Sequence, residues 1–246
     1  MTPVRPTASS EVAWEFRADG AADGPTNMAM DEELLRQAAA SPVPAVFVRV
    51  YRWAPPTASV GFHQQLERAL DLAACRRLGV PVVRRPTGGR AVFHDDELTY
   101  AVAANARELF GSSVPATYRR LAGILAEAFA RLGVPVTLAA RSPALSPRSP
   151  AATSVAPCFT APARDELLVR GRKLVGSAQC RRGGAFLQHG SIPLRIDYAR
   201  MAEVLGVSEE VLRRAMISLE EAAATRVREE DLVQALRDAF ATRLRK

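Results

Sequence analysis

Two side chains in this sequence have the chemistry of a nucleophile and its helper. Of the 33 Lys and Arg residues only two are lysine, Lys173 and the last residue, Lys246. Wherever a plain surface cation suffices the chain uses Arg, so Lys173 marks a position where a guanidinium is not an equivalent. An ammonium is a compact point charge that can give up its proton inside a protein, whereas a guanidinium stays charged. A lone lysine surviving on a solvated strand is the plainer account of the same fact. Cys158, between Pro157 and Phe159, follows no helical or strand period and is the best nucleophile candidate of the three cysteines. Cys75 lies in the helical run Leu72-Ala73-Ala74-Cys75, where a Cys is a small buried hydrophobe; Cys180 adjoins the Lys173 strand as core or bystander thiol. A free thiol with a pKa of ~8.5 is only slightly ionised at neutral pH. An ammonium about 4 Å away is worth roughly 4 kcal/mol at an effective dielectric near ~20, and half of that leaves roughly half the thiol ionised.

Two further segments have the composition of a binding site. In Arg84-Arg85-Pro86-Thr87-Gly88-Gly89-Arg90-Ala91-Val92-Phe93-His94-Asp95, paired glycines let a backbone approach a ligand closely and present amide N–H groups. The flanking arginines add charge suited to a phosphate or carboxylate. Gly-Gly is also an ordinary hairpin turn. In Phe186-Leu187-Gln188-His189-Gly190-Ser191-Ile192, a His before Gly at a strand end either shuttles protons or simply hydrogen-bonds the turn.

These groups must be positioned by a single α/β unit. The length of 246 residues suits one large domain with a small appendage, and 48% hydrophobic with 24% charged residues is ordinary for a soluble globular chain. No apolar run is long enough to span a bilayer, and residues 1–10 lack the apolar core of a signal peptide. Cysteines without a C-x-x-C pair point to a reducing cytoplasm, and three histidines without ligand spacing predict no metal site. The net charge of +7 suits an acidic partner. Scattered arginines and only 6% aromatics give no basic stripe with stacking rings, so nucleic acid is not expected.

Periodicity predicts a helix from Asn27, with Asp31, Glu32 and Glu33 in its first turn to suit the helix dipole. Val46 to Tyr51 reads as a strand, ended by Pro55-Pro56. Leu66 to Leu78 reads as one helix closed by Gly79, followed by a strand from Val80 to Arg84. Glu97 to Ala104 is a strand, Ala116 to Leu132 a long amphipathic helix closed by Gly133, and Val134 to Leu138 a short strand. The Ser/Pro/Ala-rich stretch from Ala139 to Pro157 has no period, as in a functional or disordered loop. Strands follow at Glu166 to Val169, Lys173 to Gln179 and Ala185 to Gln188, and the chain is helical from Asp197, ending in a helix from Glu229 to Leu244.

Taken in order, Asn27-Met28-Ala29-Met30-Asp31-Glu32, Trp53 to Gly61, Arg84 to Val92, His94-Asp95-Asp96-Glu97-Leu98-Thr99-Tyr100, Gly171-Arg172-Lys173-Leu174-Val175-Gly176-Ser177-Ala178-Gln179 and Leu187 to Ser191 resemble the biotin/lipoate protein ligase and lipoyl(octanoyl) transferase superfamily. The resemblance runs from about residue 11 to residue 196. It implies an α/β fold with a mixed β-sheet flanked by helices. The catalytic domain would occupy residues 1–196 and a small helical segment residues 197–246. ATP-dependent ligases of the superfamily carry a third glycine where Arg90 stands and a Gly-Asn after the His-Asp. Here Asp96-Glu97-Leu98-Thr99-Tyr100 follows, as in the cysteine-dependent octanoyltransferases of the Gram-positive type, which also carry a Cys-Phe before the lysine strand, matched by Cys158-Phe159.

The resemblance therefore implies octanoyl transfer from acyl carrier protein to a lysine of a lipoyl domain, such as the glycine-cleavage H protein. Cys158 would carry the acyl group as a thioester, assisted by Lys173. Arg85, Thr87, Gly88, Gly89, Arg90 and His94 would bind substrate from one side, and Gly176, Ser177, Ala178, Gln179, His189 and Gly190 from the other. Backbone amides near Gly176 and Ser177, or the Gly88-Gly89 turn, would hold the oxyanion. No cofactor or metal is expected; ATP and magnesium belong to the alternative of a lipoate ligase. An amidotransferase moving octanoyl between lipoyl-domain proteins would use the same cysteine. A cytoplasmic monomer is expected, engaging neither membrane nor nucleic acid. A binding module that kept the fold and lost the activity is the non-enzymatic alternative.

Overall fold

A computed structural model describes residues 12–139 and 166–244. Its strands are β1 (Ala13–Ala22), β2 (Ala45–Trp53), β3 (Thr57–Val60), β4 (Val82–Arg84), β5 (Val92–His94), β6 (Glu97–Ala104), β7 (Thr137–Leu138), β8 (Leu167–Val169), β9 (Arg172–Lys173), β10 (Gly176–Arg182) and β11 (Ala185–Pro193). Its helices are α1 (Gly24–Ala40), α2 (Leu66–Ala69), α3 (Leu72–Arg77), α4 (Arg107–Phe110), α5 (Val114–Arg131), α6 (Tyr198–Leu205), α7 (Glu209–Ala215), α8 (Leu219–Ala223) and α9 (Glu229–Leu244).

The main sheet is mixed, in the order β1-β2-β6-β11-β10, with β1 parallel to β2 and the other neighbours antiparallel. Strand alternation explains its two buried faces. Val46, Val48, Val50, Leu98, Tyr100 and Val102 point into a core closed by α5 and α9. Tyr51, Trp53, Ala101, Ala103 and Leu187 point to the other side, where Met28, Leu34, Leu35 and Ala38 of α1 cover them. A strand buried on both faces reads as the near-continuous apolar run seen in β2, broken only by Arg49 and Arg52. A second sheet, β4-β3-β5, packs with α3, α6 and α7 around its own apolar cluster. A third, β7-β8-β9, is a small antiparallel sheet beside α5.

Three expectations are corrected. Helix α1 begins three residues before Asn27, because the Asp23 side chain caps it by accepting from the Thr26 amide and Pro25 suits its opening turn. Asp31 thus lies mid-helix on the buried stripe with Met28, Leu34 and Leu35 rather than at the dipole's positive end. The helix expected over 66–78 is split, as Asp71 caps a fresh start at α3 by accepting from the Ala74 amide. The strand expected over 173–179 is also two strands. Lys173 ends β9, paired with Leu168, whereas Gly176 opens β10, paired with Ser191 of the main sheet. Strand β3 carries no alternating pattern, because all four of its residues are buried.

Candidate active site

A narrow slot opens where the small β4-β3-β5 sheet meets the main sheet. Met28, Tyr51, Trp53, Ser59, Arg85, Val92, His94, Thr99, Gly176, Ser177, Ala178, His189, Gly190 and Ser191 line it, around a cavity of about 30 Å³. Seven of the expected substrate-binding residues, Arg85, His94, Gly176, Ser177, Ala178, His189 and Gly190, therefore share one cavity. Thr87 adjoins it through His189, and the Gly88-Gly89 turn through Arg85. Arg90 is exposed at the turn's far end, its carbonyl accepting from Arg85 at 2.7 Å. Gln179 lies further along β10, bonded to Gln188 at 3.1 Å.

The Gly-Gly turn is held by backbone approach. A Cβ on Gly61 would lie 2.1 Å from the Gly89 carbonyl oxygen, and Gly89 itself has φ +89°. Arg85 is buried and donates to the carbonyls of Gly88 and Arg90 and to the backbone and hydroxyl oxygens of Ser59. It braces the turn from inside. Arg84, exposed, braces the neighbouring segment instead, donating to the carbonyls of Gly61, Phe62 and Gln64.

Both slot histidines are locked at both ring nitrogens. His189 Nδ1 meets Asp31 Oδ2 at 2.8 Å and its Nε2 meets Thr87 Oγ1 at 2.7 Å. His94 Nδ1 meets Glu97 Oε1 at 2.9 Å and its Nε2 meets Ser59 Oγ at 2.7 Å. The Trp53 ring stacks on His94 at 4.0 Å between centroids and donates from its indole N–H to Thr99. Asp31 is fully buried; it also accepts from Tyr51 at 2.8 Å and from Arg49 at 2.9 Å. Burial drives Glu97 toward protonation, but the charge of His94 and hydrogen bonds from His94, Ser191 and Thr99 outweigh it and hold the carboxyl below its ordinary range. The arrangement fixes two imidazoles as rigid walls with carboxylates behind them.

Lys173 is buried, with its side chain 2% exposed, and its Nζ lies 2.5 Å from Glu166 Oε1. The solvated-strand account of this lysine therefore falls. The turn between β8 and β9, with Arg170 at φ +51° and Gly171 at φ +76°, folds Lys173 back toward Glu166. Glu166, Leu167, Val175 and Ser177 line a small second cavity with Tyr100, Tyr118 and Gln188. Ser177 borders both cavities. Cys158 lies outside the described residues, so its place relative to Lys173 is not part of this geometry. Of the other thiols, Cys75 is buried in the small-sheet core and Cys180 is half-buried against the α1 side. Burial raises both above the ordinary thiol range, away from nucleophilic use.

Residue types alone did not reveal Asp31, Arg49, Tyr51, Ser59, Glu97, Tyr100 or Glu166 as parts of the site. Two signals were present. Asp31 stands on the apolar stripe of α1, and Arg49 interrupts an otherwise apolar strand; a buried charge in such a place requires a partner.

The lipoyl protein ligase A/B catalytic domain model matches residues 23–241. The octanoyltransferase LipM of Moorella thermoacetica is 42% identical over 207 residues, covering 83% of this chain and 74% of that protein. The octanoyltransferase LipM of Lysinibacillus sphaericus is 37% identical over 246 residues, covering 94% and 87%. Among solved structures, a T. acidophilum protein described as a lipoate protein ligase, with bound lipoic acid, superposes with a TM-score of 0.76. It is 19% identical, covering 94% of this chain and 85% of that one, and so shows the shared fold. Together the ordered motifs, the mixed sheet and the relatives place the chain in the lipoyl protein ligase A/B catalytic domain family.

Proposed function

We propose that the protein is an acyltransferase that moves an octanoyl group from the phosphopantetheine thiol of acyl carrier protein to a lysine of a lipoyl domain of the glycine-cleavage H type. Its relatives named octanoyltransferase support the acyl group. The single observation that carries the chemistry is the buried Lys173–Glu166 pair at 2.5 Å, which follows Cys158-Phe159 closely in sequence. A buried lysine amine fixed by a carboxylate is a placed proton donor and acceptor for an attacking or departing sulfur.

In the first half-reaction the Cys158 thiolate attacks the thioester carbonyl. The carbon–sulfur bond to pantetheine breaks, and the pantetheine sulfur leaves with the proton that the Cys158 thiol gave up on forming the thiolate. In the second, the acceptor amine attacks acyl-Cys158, the amide forms, and the amine's proton goes to Lys173 or to the departing Cys158 sulfur. Splitting one transfer into two steps through a better-placed nucleophile is the gain. The thioester is already activated, so neither ATP nor magnesium is required. Arg85 and His94, facing Gly176, Ser177, Ala178, His189 and Gly190 across the slot, bind the acyl end, and Thr87, Gly88, Gly89, Arg90 and Gln179 around its rim bind the pantetheine end. The net charge of +7 steers acidic protein partners in the cytoplasm.

The test is mass spectrometry of the protein mixed with octanoyl carrier protein and no nucleotide. One octanoyl adduct, removable by hydroxylamine and absent in Cys158→Ala, is expected. An adduct that persists in Cys158→Ala refutes the proposal. Release of pyrophosphate with free lipoate and ATP would make it a ligase instead, and charging only by an octanoylated lipoyl domain would make it an amidotransferase.

A further inference from the structure

A directed chain of hydrogen bonds runs along the main sheet and ends at the slot. It begins at Arg181, whose Nε–H donates to Gln179 Oε1 at 3.3 Å. A guanidinium has no acceptor, so this contact fixes which end of the Gln179 amide is oxygen. Gln179 Nε2 then donates to Gln188 Oε1 at 3.1 Å, which fixes the second amide in turn. Gln188 Nε2 donates to the Tyr100 hydroxyl oxygen at 2.9 Å.

Tyr100 is fully buried on the α5-facing side of β6, and its hydroxyl meets only one other oxygen among the described residues, Ser177 Oγ at 2.7 Å. With its oxygen accepting from Gln188, the phenol hydrogen goes to Ser177, because a buried O–H without an acceptor is costly. Burial raises the Tyr100 phenol above its usual value, so it remains a donor at neutral pH. Ser177 Oγ thus accepts from Tyr100, and its own hydrogen is left for an acceptor in the two cavities that the residue borders, of which the slot is the one lined by most of the expected substrate-binding residues. Gly190 makes this meeting possible: a Cβ there would lie 2.5 Å from Tyr100 Cε1 and 2.8 Å from Ser177 Oγ. The Ser177 carbonyl is held separately by the Tyr118 hydroxyl at 3.1 Å, so backbone and side chain are both fixed.

We propose that the Ser177 hydroxyl donates a hydrogen bond to the acyl carbonyl oxygen as it gains negative charge, and that Tyr100 is the positioning residue that turns it there. This rests on the acyl-transfer reading above. No covalent bond to Ser177 forms; its proton stays on the hydroxyl while the carbonyl passes through its tetrahedral state. A donor already oriented before reaction stabilises the transition state more than the ground state.

The experiment measures transfer from octanoyl carrier protein to an apo lipoyl domain by wild type, Ser177→Ala, Tyr100→Phe and the double variant. Thermal midpoints are taken for each. Ser177→Ala should lower kcat about a hundredfold with little change in the donor KM, the usual effect of losing one oxyanion donor. Tyr100→Phe should lower kcat about tenfold in the wild-type background. In the Ser177→Ala background it should have no further effect, since the hydroxyl it orients is gone. Full kcat in Ser177→Ala overturns the inference while the proposed function stands. Equal losses from Tyr100→Phe in both backgrounds also overturn it, because a packing defect would act regardless of Ser177. Absence of octanoyl transfer by the wild-type protein overturns the proposed function and this inference together.

Discussion

Replacing Asp31 with Ala removes the one carboxylate that three buried groups share. Arg49 is fully buried and keeps only Asp19, 2.5 Å from its Nε and partly exposed, as a charged partner. The Tyr51 hydroxyl and His189 Nδ1 lose their acceptor at the same time. Breaking a buried ion pair by deleting one partner costs about 3–5 kcal/mol, and a buried polar group left unbonded costs about 1–3 kcal/mol. These losses belong to one network and do not add, and the Asp19 contact offsets part of the first. The expected destabilisation is about 3–5 kcal/mol, read as a lower midpoint in equilibrium urea unfolding. Asp31→Ala combined with Arg49→Met should recover much of the loss, because no unpaired charge then remains. A single-variant cost below about 1 kcal/mol, or a double variant less stable than Asp31→Ala alone, would refute the account of this network as a buried charge cluster.

Gly61→Ala should lose octanoyl transfer and about 1–3 kcal/mol of stability, since its Cβ would collide with the Gly89 carbonyl; wild-type kinetics in that variant would contradict the turn geometry. Glu97 has a folded-state pKa below the ordinary 4.5, so its contribution is full above that value and disappears as pH falls through the lower folded value. Glu97→Gln should therefore flatten the acid limb of a stability-against-pH curve measured by thermal midpoints, and an unchanged limb would count against it. Lys173→Arg keeps a cation but has to fit a planar fork into a cavity shaped for an ammonium beside Glu166. At least a tenfold loss of transfer rate is expected on the scale of a misplaced catalytic group, and full activity would remove any special role for lysine.

The long periodic segments were legible before the structure: β2, β6, α5 and α9 lie within a few residues of their expected positions. Their alternation or helical stripe is set by burial, which a single sequence records. Short elements were not legible. The division of 173–179 into two strands of different sheets depends on which neighbour each half pairs with, and pairing leaves no local mark. Strand β3 is buried throughout and so lacks alternation. Within the site, glycines and histidines stood out by type. Their supports did not: Asp31 lies far along the chain from His189, and Glu97 reads as the start of a strand rather than as the base of His94. Asp31 resembled a dipole-compensating residue because the true N-cap, Asp23, sits further upstream than the first apolar position suggests.

Thr87 rests on His189, His189 on Asp31, and Asp31 on the first helix. The glycine loop thereby inherits its stance from a helix that never touches it in sequence. Drift along α1 would be felt at the loop, and variants altering what the slot accepts should arise there as readily as among the residues that line it.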